Sequence, residues 1–116
     1  MQDIKWYKIA DSINLLPWQA NNMCLVEVKN KIYTIAKHNN KIFAFSHKCP
    51  HASGILANGW IDALANVVCP IHRYKFCMQN GRNTSGEGYF LKTYKVEIRE
   101  EGVFIAIENK GFLSFF

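Results

Sequence analysis

Cys49-Pro50-His51 and Cys69-Pro70-Ile71-His72 are the two runs on which the reading turns. Seventeen residues separate them, so the pattern is Cys-x-His followed by Cys-x-x-His. Two thiolates and two imidazoles form a competent metal donor set, and zinc accepts all four. Zinc fingers, however, place both cysteines before both histidines. Here each arm supplies one of each, at nearly matched positions of two loops. That distribution suits a cluster with two inequivalent irons, the softer thiolates serving one and the imidazoles the other. His38 and His47 lack matching partners and read as ordinary half-exposed side chains. Cys24 reads as a small buried hydrophobe, and Cys77 as a core or rim residue, not a fifth ligand.

Outward from these runs the texture divides. Between Cys49 and Phe90 turn formers recur at Gly54, Asn58-Gly59, Asn66, Asn80-Gly81 and Gly86 to Gly88. A loop-rich insert of this kind, spanning approximately 47–90, needs something to hold it together. On either side the chain reads as strands, over 6–9, 23–28, 32–36, 41–46, 94–99 and 103–107. Asn30, Asn39-Asn40 and Glu101-Gly102 supply the turns. Ile42, Ala44 and Ser46 fall on one face of their strand, and Phe43 and Phe45 on the other. The connection 11–22 carries Pro17, which blocks a regular element. Residues 19–24 offer one weak helical candidate. The tail 111–116, with Phe112, Leu113, Phe115 and Phe116, reads as a last strand or as a partner-contact patch.

The whole chain, 116 residues, is one domain's worth and too short for a substrate pocket plus a separate cofactor domain. With 49% apolar and 20% charged residues, it is a globular composition and not a disordered tail. No run approaches the length of a membrane span, and the start, Met1 to Trp6 with Asp3, does not read as a signal peptide. The expected location is therefore the cytoplasm, where cysteines near histidines more often mean metal than disulfides. The net charge of +5 comes from dispersed residues with no nucleic-acid module, so a solvated face is expected and not a nucleic-acid partner.

The two arms resemble the Rieske [2Fe-2S] signature in order and in spacing. The resemblance covers roughly residues 23–107. It includes Pro50 and Pro70 after the cysteines, Gly59, Phe76, and a strand pair over 91–107 like the family's closing hairpin. It implies an all-β fold of stacked antiparallel sheets with a loop-rich cluster-binding subdomain, and a [2Fe-2S] cluster as cofactor. By the same resemblance, Cys49 and Cys69 would hold the inner iron. His51 and His72 would hold the outer iron through Nδ1, leaving the outer ring edge near solvent.

Departures from the family pattern carry consequences. High-potential members join the two cluster loops by a disulfide, and the matching positions here are Gly54 and Ile71. Those members also aim a serine and a tyrosine hydroxyl at the cluster, where this chain has Tyr74 and Phe76. Fewer donors leave reduction less favourable. The chain thus resembles the low-potential group, the soluble ferredoxins of oxygenase systems and the small subunit of assimilatory nitrite reductase. Arg73 stands where a glycine is usual, so it either distorts the loop, if the glycine dihedral is needed, or adds a positive charge beside the outer iron. The segment 83–90 lacks the proline of related cluster-covering loops, and a softer lid is expected.

The implied function is one-electron transfer, between a flavoprotein reductase and an oxygenase or similar enzyme, with no substrate turnover of its own. A nitrite reductase small subunit and a non-catalytic regulatory domain are the alternatives. A terminal oxygenase would need a mononuclear iron domain, for which only His38 and His47 remain. Lys48, Arg73 and Lys75 flank the ligand arms. If they point outward, they surround the imidazole edge with positive charge suited to an acidic docking face.

Overall fold

The computed structural model describes residues 3–109; the tail 111–116 lies outside them. Ten strands follow one another: β1 (Asp3–Ala10), β2 (Met23–Val28), β3 (Lys31–His38), β4 (Lys41–Ser46), β5 (Trp60–Ile61), β6 (Asn66–Val68), β7 (Lys75–Cys77), β8 (Thr93–Tyr94), β9 (Val96–Arg99) and β10 (Gly102–Asn109). They form three antiparallel sheets, ordered β1-β10-β9, β2-β3-β4-β8 and β5-β6-β7. Two single-turn 3-10 segments, Ile13–Leu15 and Leu56–Asn58, are the only helical elements among the described residues.

Local chemistry sets the meander β2-β3-β4. Lys29 and Asn30 both take positive φ, 52° and 67°, as do Asn39 and Asn40, 50° and 63°. Each pair is a two-residue loop, closing Val28 on Lys31 and His38 on Lys41. Such turns match the strand twist, and asparagine tolerates the left-handed region better than most residues. The alternation along β4 then sorts its side chains between two cores. Phe43 and Phe45 pack with Met23, Leu56, Val67 and Phe76, toward the β5-β6-β7 sheet. Ile42 and Ala44 pack with Ile35, Val28 and Ile105, toward the β1-β10-β9 sheet. The central sheet is thus covered on both faces, which is why neither face of β4 reads as polar. Cys24 is buried in the second core, and burial pushes its thiol up to about 11.

Three expectations need correction. The strand over 94–99 is broken at Lys95: β8 pairs with β4, while β9 pairs with β10. The last part of the chain therefore bridges two sheets and is not a simple hairpin over 91–107. No helix forms over 19–24. Gln19 and Asn21 spend their side chains on distant carbonyls instead. Gln19 Nε2 donates to Ala57 O (2.8 Å), and Asn21 Nδ2 donates to Ala57 O (2.8 Å) and Gly59 O (2.9 Å). Finally, β1, β3 and β10 run longer than the alternation suggested, because pairing to neighbours extends past the apolar residues.

Candidate metal centre

The insert 47–90 contains the third sheet, and its two loops carry Cys49, His51, Cys69 and His72. The first arm leaves β4 and the second leaves β6. Each is closed the same way, by the cysteine amide reaching five residues ahead. Cys49 N donates to Gly54 O (2.8 Å), and Cys69 N donates to Tyr74 O (2.9 Å). A further bond, Arg73 N to Cys69 O (3.0 Å), tightens the second turn. Two like-built loops therefore meet with their cysteines at the roots and their histidines at the tips.

Burial follows that layout. Cys49 and Cys69 are 4% and 1% exposed and belong to the core beneath the loops. Their thiols lie within hydrogen-bonding reach of one another. Burial, and the neighbouring Cys49 sulfur, push the Cys69 thiol up, while the N–H groups of Ile71 and His72 aim at its sulfur and favour the thiolate. His51 is half-buried and His72 exposed. Their Nδ1 atoms face each other at 3.4 Å, with ring centroids 4.9 Å apart. Two nitrogens bound at about 2.1 Å to one tetrahedral metal stand roughly 3.4 Å apart. The imidazole pair is spaced as two ligands of one ion would be, and the more deeply buried thiols form a second pair.

Among the described residues no three His, Cys, Asp or Glu side chains converge as a single ion would need. The thiols meet as one pair and the imidazoles as another, the arrangement that a binuclear cluster with two protein ligands at each iron would use.

The surrounding residues are built to this spacing. A Cβ on Gly54 would come within 2.6 Å of Ile71 Cγ1 and 2.9 Å of Cys69 Sγ, so a side chain there would have to displace one or both of these side chains. The same Cβ position lies 3.6 Å from Ile71 Cβ, within the Cβ separation of a disulfide, about 3.5–4.5 Å. Gly54 and Ile71 therefore face each other, and neither has sulfur to bridge them. Gly59 passes so near β6 that a Cβ would collide with Val68 O. Phe76 is fully buried beneath the loops. Pro50 is exposed and Pro70 half-buried. Arg73 takes φ of 61°, so the loop keeps a glycine-like backbone with an arginine in it.

Tyr74 does not extend the donor set in any simple way. Its ring lies over His51, centroids 4.3 Å apart, and Tyr89 joins the same group at 5.2 Å from His51. Burial, with the negative charges of Glu87 and the Cys49 sulfur among the further causes, pushes the Tyr74 phenol up. Of the flanking cations, Lys48 and Arg73 are exposed, but Lys75 Nζ lies 3.8 Å from Asp62 Oδ2. His38 and His47 stand apart from the donor group. Each is half-buried with one buried ring nitrogen lacking a partner, His38 Nε2 and His47 Nδ1. Cys77 sits half-buried on β7.

The sequence reading missed the clasp of Gln19 and Asn21 on Ala57 and Gly59, and the aromatic group of Tyr74 and Tyr89 around His51. Neither has a local sequence signal, since both join residues far apart in the chain.

Known proteins resemble this chain in sequence and in fold. The chain is 26% identical over 74 residues to the ferredoxin subunit of 3-phenylpropionate/cinnamic acid dioxygenase from Photorhabdus laumondii, 63% of this chain and 70% of that one. Among solved structures, the ferredoxin of carbazole 1,9a-dioxygenase from Nocardioides aromaticivorans IC177 superposes with a TM-score of 0.75 at 18% identity, over 87% of this chain and 96% of that one. A putative NADH-dependent nitrite reductase small subunit from Mycobacterium tuberculosis gives 0.72 at 13%, over 92% and 96%. No helix among the described residues is long and apolar enough to cross a membrane. A family model for the Rieske [2Fe-2S] domain matches residues 5–95, and the chain belongs to that family, with an electron-transferring [2Fe-2S] cluster as its cofactor.

Proposed function

We propose that Cys49 and Cys69 hold one iron, that His51 and His72 hold the other, and that the chain carries single electrons from a flavoprotein reductase to an oxygenase or similar redox enzyme. The observation that carries the ligand assignment is the pair of Nδ1 atoms 3.4 Å apart above two buried thiols. A bound [2Fe-2S] cluster of this ligation accepts one electron, passing from a formal charge of 0 to −1 with neutral histidines. The protein's part is to hold the donors rigidly. Buried sulfurs keep water from one side, while the exposed His72 ring brings the other side to the surface, where a partner can approach. The similarity to a dioxygenase ferredoxin subunit supports the oxygenase as acceptor. A nitrite reductase small subunit shares the fold, and stable co-purification with a large sirohaem subunit would mark that role.

Lys48 and Arg73 form the basic rim that steers an acidic partner face; Lys75 shares its charge with Asp62 and contributes less. Without a bridge between positions 54 and 71, and with Phe76 in place of a hydroxyl donor, the midpoint potential falls in the low part of the Rieske range of about −150 to +300 mV. The experiment is anaerobic purification, iron and acid-labile sulfide assay, and stopped-flow transfer from a flavoprotein reductase and on to an oxygenase. Fast, salt-sensitive transfer that Lys48→Glu slows supports the reading. A midpoint well above about +100 mV would overturn the low-potential part, and a chain that no flavoprotein reductase reduces would overturn the carrier part.

A further inference from the structure

The segment between β7 and β8 is tied down by its own side chains. The Asn83 amide donates to Lys75 O (3.0 Å) and to Glu87 Oε1 (3.0 Å). The Ser85 hydroxyl accepts from Lys75 N (2.8 Å) and donates to the same Glu87 oxygen. Glu87 N in turn donates to Asn83 Oδ1. The lid that lacks a proline is thus knitted to β7 through Asn83 and Ser85. The knot has an outcome beyond anchoring, because it fixes where one carboxylate sits.

Two residues on, Tyr89 lies against both His51 and Tyr74. The knot and the Tyr89 contact together bring the Glu87 carboxylate within electrostatic reach of the His51 and Tyr74 rings. The hydroxyl of Ser85 and the amide of Asn83 hold the Glu87 carboxyl below its ordinary range, so it is ionised at neutral pH. Both of these partners are neutral. Among the described residues no Lys or Arg forms an ion pair with Glu87, so its charge is not cancelled at short range. Lys48 and Arg73 flank the ligand arms as the nearest cations in sequence.

We propose that Glu87 is a fixed negative charge beside the His51 imidazole that holds the midpoint potential down, with Asn83 and Ser85 as the residues that position it. Reduction adds one negative charge at the site, and a like charge nearby disfavours it. The carboxylate is exposed, so the effect is largest at low ionic strength and fades as salt screens it. This inference rests on the cluster assignment above.

The test is direct electrochemistry of the intact, cluster-loaded chain at pH 7 and low salt. Glu87→Gln raises the one-electron reduction equilibrium constant about threefold, or about 28 mV at 59 mV per tenfold. Glu87→Lys moves it further in the same direction. Ser85→Ala, which frees the carboxylate without removing it, gives a smaller rise. Glu100→Gln, in the β9–β10 turn, leaves the potential unchanged, and high salt draws the wild type and Glu87→Gln together. Equal potentials for Glu, Gln and Lys at position 87, with the cluster spectrum intact, would overturn the proposal. If the Gln variant fails to load, the graded Lys and Ser85→Ala shifts decide alone, and no shift in either overturns it. A wild-type chain without a mixed Cys/His cluster signal is a different result, and it would remove the ligand assignment itself.

Discussion

Gly54 lies so close to Cys69 that a Cβ on the glycine would stand 2.9 Å from the cysteine sulfur. The two arms are therefore spaced by the absence of a side chain at one position. Gly54→Ala forces the sulfur, Ile71 or both to move. Overpacking of this kind costs about 1–3 kcal/mol, and here the displaced atom is a proposed ligand. The expected outcome is a folded protein, by far-ultraviolet circular dichroism, with markedly less iron and sulfide per chain. Full iron content in Gly54→Ala would show that the second arm yields without disturbing the donor.

Arg73 takes the left-handed backbone, which costs a non-glycine residue about 1–2 kcal/mol. Its amide is held by Cys69 O, so the conformation is imposed by the turn. Glycine removes that strain but gains freedom in the unfolded chain worth about 0.5–1 kcal/mol. Arg73→Gly is therefore expected to be more stable by about 0.5–1 kcal/mol. Urea unfolding of the two proteins checks it, and a clear loss of stability would mean that the arginine side chain makes a contribution larger than its backbone cost. Electron transfer to an acidic partner should slow in the same variant, because one rim charge is gone.

Asp62 closes the β5–β6 turn. Its Oδ1 accepts from Leu64 N (2.9 Å) and Asn66 N (3.0 Å), and its Oδ2 from the Asn66 amide (3.1 Å). Burial works to raise its carboxyl, but these hydrogen bonds and Lys75 outweigh it, and the net shift is downward. A carboxyl lowered on folding contributes stability that is present above its unfolded value, about 3.9, and is lost as pH falls through the folded one. Asp62→Asn should therefore cost stability at pH 7 and much less near pH 3. Denaturant midpoints for both proteins across that range test it, and a pH-independent difference would contradict the account.

The parts legible in the sequence were those with local causes. The Asn39-Asn40 turn and the alternation of β4 depend on neighbours in the chain, and both appear where the pattern put them. The paired Cys and His spacing is also short-range in each arm, which is why Cys49, His51, Cys69 and His72 could be singled out before any geometry. Glu87 and Tyr89 gave no such signal. Their place beside His51 depends on the Asn83–Ser85 knot, which joins the lid to β7 across several residues. The break at Lys95 was hidden for another reason: an alternating run cannot tell which of two sheets its halves will join.

The ligand assignment is tested most directly by pulsed electron paramagnetic resonance of the dithionite-reduced protein, with histidine nitrogens labelled as ¹⁵N. The expected result is two histidine nitrogens coupled to the cluster spin in the parent chain, and loss of the signal or of one coupling in His51→Ala and in His72→Ala. An all-cysteine cluster signature, or unchanged nitrogen couplings in either variant, would contradict the assignment of His51 and His72.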